Sequence, residues 1–226
     1  MTERKLSPRG EFDKAPRAEF DKALAEYSAA FGVRLGEEER ARLGEYFELV
    51  SAWNKRLHLV APCPPAEFAV RHVLESLLAL PFVGRGAAVV DVGSGAGLPA
   101  VPCLVARADI SAVLVESSRK KAVFLREALA RVDRSESARV VAERFERLEP
   151  PAADCLTCRA LERFTEVLPH LLAWASRIRT LLLFGGESLR ERIQILGLAF
   201  EAVHVPESER RFLFVVKQAR ANYKLE

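Results

Sequence analysis

Short apolar runs alternate with helical patterns through the second half of the chain, and this alternation restricts the fold more than any other feature. The runs carry β-branched residues and lie at 87–93, 111–116, 138–143, 153–159 and 178–184. Residues 199–217 then read as two strands joined by a polar turn. Strands that alternate with helices form parallel sheets covered on both faces. The sequence therefore predicts an α/β fold with a mostly parallel sheet and an antiparallel last strand.

The preceding part of the chain shows helical spacing instead. Apolar stripes three or four residues apart occupy 17–32, 36–57 and 66–82, and Pro81 ends the last of them. The polar start of the chain contains Pro8, Gly10 and Pro16, which interrupt regular structure. We therefore expect a flexible arm at 1–16, an N-terminal helical region at 17–86 and a sheet-bearing domain at 87–226.

Composition places few restrictions on function. Half of the 226 residues are apolar, 29% are charged, and the net charge is only +3. No apolar run approaches the ~20 residues that a membrane helix needs, and the charged N-terminus lacks the apolar segment of a secretory signal. Four scattered cysteines suit a reducing compartment. We expect a cytoplasmic protein, monomeric and without membrane contact.

A glycine-rich turn follows the first predicted strand, in the stretch VVDVGSGAGLPAVP at 89–102. Asp91 ends the strand, and Gly93, Gly95 and Gly97 come at alternate positions. Glycines can adopt positive φ and let a ligand approach the backbone. A tight strand-to-helix turn without any ligand is the alternative explanation.

The spacing of this turn excludes two common nucleotide motifs. The dinucleotide fingerprint needs its third glycine at position 98, which is Leu98. A P-loop needs a Gly-Lys-Ser/Thr sequence, which is absent, and 89–106 contains no lysine or arginine to meet a phosphate.

S-adenosyl-L-methionine fits the turn better because it has a cationic sulfonium and no pyrophosphate. Asp91 could favour its positive charges, and Glu116, at the end of the second strand, could accept both ribose hydroxyls. Glu116 could instead be an acid at the start of the next helix. The combination predicts the Rossmann-like sheet of a class I methyltransferase, with Asp91, Gly93, Gly95, Gly97 and Glu116 at the cofactor.

Basic residues cluster after Glu116. Residues 117–147 carry nine Lys and Arg against five Asp and Glu. Arg119, Lys120, Lys121 and Arg126 lie near a predicted helix N-terminus, where cations oppose the helix dipole. RNA phosphate is one explanation for them, and a solvated helix face paired with Glu127 is the other.

Metal binding is not expected. Cys155 and Cys158 resemble half of a zinc site, but they lie on a predicted strand. Residues three apart on a strand point to opposite faces, and no second pair completes four ligands. His170 lies in an apolar helical stretch and is expected to be a structural histidine.

Several motifs in fixed order resemble the RsmG (GidB) family, bacterial methyltransferases that modify guanine N7 in 16S ribosomal RNA. They are WNK at 53–55, RHVLESL at 71–77, DVGSGAGLP at 91–99, VESSRKKAVFLRE at 115–127, ERFERL at 143–148 and CRA at 158–160. The resemblance covers most of the chain beyond its N-terminal arm. It implies 16S ribosomal RNA or the small ribosomal subunit as the partner.

The resemblance also implies roles for individual residues. Leu98 would line the cofactor with the glycines, and Phe145 and Glu146 would border the adenine. Arg159 would lie at the mouth of the site, where it could contact both the cofactor and the substrate. His72, Glu75 and Ser76 match the family stretch H-x-x-D-S, with Glu75 replacing the usual aspartate. Guanine N7 is already a nucleophile, so no catalytic acid or base is assigned, and orientation is expected to carry the reaction.

The chain departs from the family at two places. His58-Leu59-Val60 replaces the usual Asn-Leu-Thr, and Phe184-Gly185-Gly186 replaces a Lys-Gly pair. Two other functions therefore stay open: a methyltransferase of the same fold with a changed substrate, and a non-catalytic protein for RNA binding or assembly.

Overall fold

Seven strands form one mixed sheet in the computed structural model, which describes residues 14–159, 161 and 163–218. The strands are β1 (Ala88–Val92), β2 (Ser111–Val115), β3 (Ala138–Val141), β4 (Cys155–Arg159), β5 (Thr180–Gly185), β6 (Phe200–His204) and β7 (Phe212–Lys217). Their order is β3-β2-β1-β4-β5-β7-β6. β1 to β5 pair in parallel, and β7 pairs antiparallel with β5 and β6. The predicted α/β sheet is confirmed.

Helices cover both faces of this sheet. They are α1 (Lys14–Tyr27), α2 (Glu37–Leu57), α3 (Pro65–Phe68), α4 (Glu75–Leu77), α5 (Ala100–Ala106), α6 (Arg119–Arg131), α7 (Phe164–Trp174) and α8 (Glu187–Ile195). A π-helical segment, Ala69–Leu74, joins α3 to α4, and short 3₁₀ turns occur at Ser28–Phe31, Leu80–Phe82 and Phe145–Arg147. None of the helices within the described ranges is long and apolar enough to span a membrane.

Local sequence explains where the long helices begin and end. α2 has three glutamates in its first turn and Lys55 and Arg56 in its last, which suits the helix dipole at both ends. It stops at His58, whose φ of 48° is left-handed. The Ser118 hydroxyl caps α6 by accepting a hydrogen bond from the Lys121 amide at 3.4 Å.

The strands divide the core into two apolar clusters because side chains alternate across the sheet. Val89 of β1 belongs to the cluster on one face and Val90 to the cluster on the other. Cys155 and Cys158 likewise lie in different clusters. The first cluster includes the stacked rings of Phe20 and Phe47, 4.7 Å apart.

The N-terminal helical region therefore shares its core with the sheet. α1 begins at Lys14, inside the arm predicted at 1–16, and residues 1–13 lie outside the described residues. Pro8 and Gly10 fall in that undescribed part. The Tyr46 hydroxyl of α2 donates a 2.7 Å hydrogen bond to the Ala96 carbonyl, which joins this region to the glycine turn.

Candidate active site

The glycine turn connects β1 to α5 and crosses the end of β2. Gly93, Gly95 and Gly97 all have positive φ, at 72°, 53° and 89°. The amides of Gly93 and Ser94 donate hydrogen bonds to the Val115 carbonyl at 2.9 and 3.2 Å. The turn thus lies at the carboxyl edge of the parallel strands, where open α/β sheets bind ligands.

The three glycines are needed for different reasons. A Cβ atom at Gly93 would lie 2.6 Å from Leu161, and one at Gly97 would lie 2.6 Å from Val101. A Cβ at Gly95 would approach nothing closer than the Gly93 carbonyl oxygen, at 3.7 Å. Gly93 and Gly97 therefore permit close packing, whereas a Cβ at Gly95 would make only an ordinary van der Waals contact.

Glu116 is attached to this turn through both carboxylate oxygens. Oε2 accepts a hydrogen bond from the Gly95 amide at 2.8 Å, and Oε1 accepts one from the Ser118 amide at 2.7 Å. Each carboxylate oxygen can accept more than one hydrogen bond. Glu116 is 7% exposed, so the two hydrogen bonds hold a largely buried carboxylate beside the turn.

Asp91 lies beneath the turn and is fully buried. The Thr157 hydroxyl donates a 2.6 Å hydrogen bond to its Oδ1, while Oδ2 has no hydrogen-bond partner within the described part of the chain. Burial raises the pKa of Asp91 to about 7, although the hydrogen bond from Thr157 acts in the opposite direction. Near neutral pH this carboxyl group therefore responds to a charge placed at the turn.

The remaining residues expected at the cofactor are placed less uniformly. Leu98 is buried at the end of the turn. The Phe145 ring is also buried and packs edge-on against Trp174, 5.6 Å between centroids, so a ligand could reach only its backbone. Glu146 is exposed and lines a groove of ≈850 Å³ that includes Ala88, at the opposite end of β1. The Glu146 side chain therefore does not face the glycine turn.

Arg159 ends β4, beside β1, and its guanidinium is directed into the N-terminal helical region. Nη2 donates to the Arg71 carbonyl at 2.7 Å and lies 3.3 Å from His72 Nδ1. Nη1 donates to the His72 carbonyl at 3.4 Å and to the Ser76 hydroxyl at 3.5 Å. Burial lowers the pKa of Arg159 from its usual value, and Glu75 opposes that shift. Ser76 and His72 are thereby brought to the site.

Glu75 lies between two arginines. Its Oε1 is 3.4 Å from Arg159 Nη2, and its Oε2 pairs with Arg211 Nη1. Arg211 directly precedes β7 and was not anticipated from the sequence. Arg211 is far from Arg159 along the chain, so the two form no local sequence motif. Arg211 reaches the edge of the sheet where Arg159 lies only because β7 pairs with β5.

A cavity of ≈430 Å³ opens at this edge of the sheet. It is lined by Arg71, His72, Glu75, Arg159, Phe164, Thr165, Phe184, Gly185, Gly186, Ser188, Leu189 and Arg211. Burial, reinforced by Arg159, Arg71 and Arg211, lowers the pKa of His72 to about 3, so this ring is neutral. Phe184 lies at the edge of this cavity, is 3% exposed, and has the Arg159 guanidinium 5.9 Å from its ring centroid.

The basic cluster is at the surface of α6. Arg119, Lys120 and Arg126 are exposed and Lys121 is partly exposed. Within the described ranges none of the four forms an ion pair, with Glu127 or any other acid. The pairing with Glu127, which the solvated-face alternative included, is therefore not formed among the described residues.

Other polar residues are placed away from the turn. The Asn54 side chain closes the loop after α2 by exchanging two 3.0 Å hydrogen bonds with the Val60 backbone. His58 caps α2 in a left-handed conformation that asparagine also tolerates. His170 is exposed, contrary to the expectation of a structural histidine. No group of three potential metal ligands occurs among the described residues.

The strand order, with an antiparallel β7, and the acid-flanked glycine turn define a Rossmann-like methyltransferase. Solved structures agree on the fold. The chain is similar to cofactor-bound Rv0187 from MTB, with a TM-score of 0.59 and 18% identity over 80% of this chain and 91% of that one. It is also similar to the METTL16 methyltransferase domain, with a TM-score of 0.54 and 11% identity over 79% and 97%.

Sequence comparison identifies the family. Residues 39–213 match the model of the GidB family, described as rRNA small subunit methyltransferase G, and the chain belongs to this family. It is similar to proteins named ribosomal RNA small subunit methyltransferase G from Nitrosospira multiformis, with 39% identity over 66% of this chain and 70% of the relative. The protein of that name from Anaeromyxobacter dehalogenans is 36% identical over 78% and 84%.

Proposed function

We propose that this chain transfers a methyl group from S-adenosylmethionine to N7 of a guanine in 16S ribosomal RNA. One observation carries the cofactor assignment: no side chain packs against Gly95, so a ligand has room there beside the fixed carboxylate of Glu116. The membership of the GidB family supports the choice of RNA as substrate.

The residues at the turn fit this cofactor. Glu116 would hold the ribose hydroxyls, and the turn around Gly95 would take the amino-acid part. Asp91 has an unpartnered buried oxygen, and its charge would favour a cationic ligand. When bound, the cofactor supplies an electrophilic methyl group.

Methyl transfer to guanine N7 requires the protein mainly to orient the base and the methyl donor. Guanine N7 carries an in-plane lone pair, so no side chain has to remove a proton before the methyl group is transferred. Correct placement of two reactants can contribute up to ~7–11 kcal/mol in favourable cases.

The cavity at the ends of β4 and β5 is the proposed site of the target nucleotide. β4 is paired with β1, so the cavity and the glycine turn lie at the same edge of the sheet, at the ends of neighbouring strands. Phe164 is partly exposed in its lining, and proteins stack unpaired RNA bases on such rings, whereas Phe184 is 3% exposed and lies beneath the Arg159 guanidinium. Arg119, Lys120, Lys121 and Arg126 would contact phosphates farther along the RNA. We expect the chain to act as a cytoplasmic monomer.

Labelled methyl transfer to undermethylated small subunits tests this function. The expected product is 7-methylguanine at one position of 16S ribosomal RNA, located by mapping the modified base. Naked 16S ribosomal RNA and large subunits are the comparison substrates. Isothermal titration with S-adenosylmethionine tests the cofactor separately, and a folded protein that does not bind it would contradict the proposal.

Phe184 favours a second candidate function, a methyltransferase of the same fold with a changed substrate. Its apolar ring stands where the resembling family has a lysine, which alters the wall of the cavity. Transfer to other acceptors but not to small subunits would support this alternative. RNA binding without cofactor affinity would instead indicate a non-catalytic protein.

A further inference from the structure

We propose that Glu75 is a positioning residue that holds Arg159 and Arg211 side by side, so that Arg211 presents a free nitrogen to a phosphate of the target RNA. This inference rests on the proposed function, because it assigns the substrate of the same cavity. Glu75 belongs to the N-terminal helical region, whereas Arg211 directly precedes the last strand of the sheet.

The burial of Glu75 is the first argument. It is 3% exposed, and a buried carboxylate is stable only when it is paired. Both of its oxygens are paired, Oε1 with Arg159 and Oε2 with Arg211. Without this carboxylate the two guanidinium groups would repel each other across the cavity wall.

The two arginines differ in how their donors are used. Both terminal nitrogens of Arg159 contact the segment from Arg71 to Ser76, and its side chain is only 12% exposed. The hydrogen bonds of Arg159 therefore hold the N-terminal helical region against β4.

Arg211 keeps part of its guanidinium available. Nε donates to the Ser208 hydroxyl at 3.0 Å and Nη1 pairs with Glu75. Among the described residues no acceptor contacts Nη2, and the side chain is 25% exposed. Two contacts therefore fix the direction of the guanidinium and leave one donor group for a ligand.

The charge of the cavity selects an anion. Arg71, Arg159 and Arg211 face it with one lining carboxylate, Glu75, and Arg71 also pairs with Glu67. His72 is neutral at physiological pH because its pKa is lowered to about 3. Three cations against two carboxylates leave an excess of positive charge. Guanidinium groups pair strongly with phosphate, and in RNA every nucleotide supplies one. The phosphate beside the target base is the ligand that fits.

Glu75→Gln tests the positioning role. Because Glu75 positions Arg211 for the phosphate, the substitution should lower RNA affinity in the same direction as Arg211→Gln and reduce kcat at least about tenfold, although it removes one negative charge from the cavity. Affinity for S-adenosylmethionine should be unchanged, and Glu75→Asp should recover part of kcat. Equal kcat in wild type and Glu75→Gln, or a loss of kcat that follows a loss of cofactor binding, would overturn the proposal.

Arg211→Gln tests the phosphate contact by RNA binding alone. The slope of log affinity against log salt should fall by roughly one contact, and RNA affinity should drop. Arg210→Gln is the matched control, since Arg210 is exposed, adjacent and not part of the cavity. Equal effects of the two changes would refute the assignment. This test does not need turnover, so it is separate from a failure of the methyltransferase proposal.

Discussion

Gly95 differs from the other two glycines of the turn because its positive φ favours glycine while no close packing requires it. Gly93 and Gly97 lie against Leu161 and Val101, so packing accounts for them. Around Gly95 there is room for a side chain, yet its backbone amide is bonded to Glu116. This difference makes Gly95 the position at which the proposed ligand site can be tested separately from the packing of the turn.

Gly95→Leu should abolish binding of S-adenosylmethionine, because the new side chain would fill the space that the ligand needs. It should also cost about 1–2 kcal/mol of stability, since φ of 53° is unfavourable for a side chain. Isothermal titration and urea unfolding measure the two effects. Gly197→Leu is the matched control, because Gly197 has φ of 66° with nothing within 4 Å and lies at the far end of α8. It should lose comparable stability and retain the cofactor.

Asp91 predicts a pH dependence of cofactor affinity. Its pKa is raised to about 7 by burial, so a rise in pH through that value adds a negative charge near the proposed cationic ligand. Affinity of the wild type relative to Asp91→Asn should therefore increase about tenfold between about pH 6 and about pH 8. The ratio cancels the titration of the ligand itself. A ratio that stays constant, measured by isothermal titration, would show that Asp91 does not act through its charge.

The residues of the turn could be predicted from the sequence because they are consecutive and their conformational demands are local. Glu116 could be predicted because it ends the neighbouring strand. Arg211 could not, since it joins Glu75 only after an antiparallel strand is placed beside β5. The direction of the Glu146 side chain also depends on how the chain returns across the sheet.

The π-helical segment Ala69–Leu74 is the element that sequence periodicity did not reveal. Its apolar pattern predicts an ordinary helix over 66–82, and one widened turn changes that pattern too little to be recognised. In this segment the carbonyls of Arg71 and His72 accept hydrogen bonds from Arg159. Widened turns of this kind occur frequently at functional sites.

The first turn of α6 should show opposite effects on stability and on function. Arg119 and Lys120 oppose the helix dipole and form no ion pair in the described ranges. Their replacement by glutamine should leave stability unchanged or raise it by about 0.3–1 kcal/mol, while RNA affinity falls. Urea unfolding and filter binding at two salt concentrations measure these effects.

Arg131→Gln is the control for this helix. Arg131 lies in the last turn of α6, where its charge is favourable, so the substitution should lower stability slightly and leave RNA affinity unchanged. If Arg119 and Lys120 behave in the same way, they belong to a solvated face.

At the scale of the whole molecule, the site is assembled from both halves of the chain. The N-terminal helical region supplies Glu75 and the groups that hold Arg159, and Tyr46 contacts the turn. The sheet supplies the turn itself and Glu116. Because the apolar cluster under the N-terminal helices continues into β1, the two halves cannot separate without exposing that cluster.

The two tryptophans test whether the molecule unfolds as one unit. Trp53 packs against Phe124 on one face of the sheet, and Trp174 packs against Phe145 on the other. In Trp53→Phe only Trp174 reports, and in Trp174→Phe only Trp53 reports, so each variant follows one cluster. The sheet forms one side of both clusters, so each fluorescence transition in urea should coincide with the loss of helical circular dichroism in the same variant.

Saturation with S-adenosylmethionine at about 100 times Kd should raise the free energy of unfolding of both variants by about 2.7 kcal/mol. If the Trp53 fluorescence transition occurs at lower urea than the loss of helical circular dichroism, the N-terminal helices form a separate unit. The site would then be assembled from two independently folding parts.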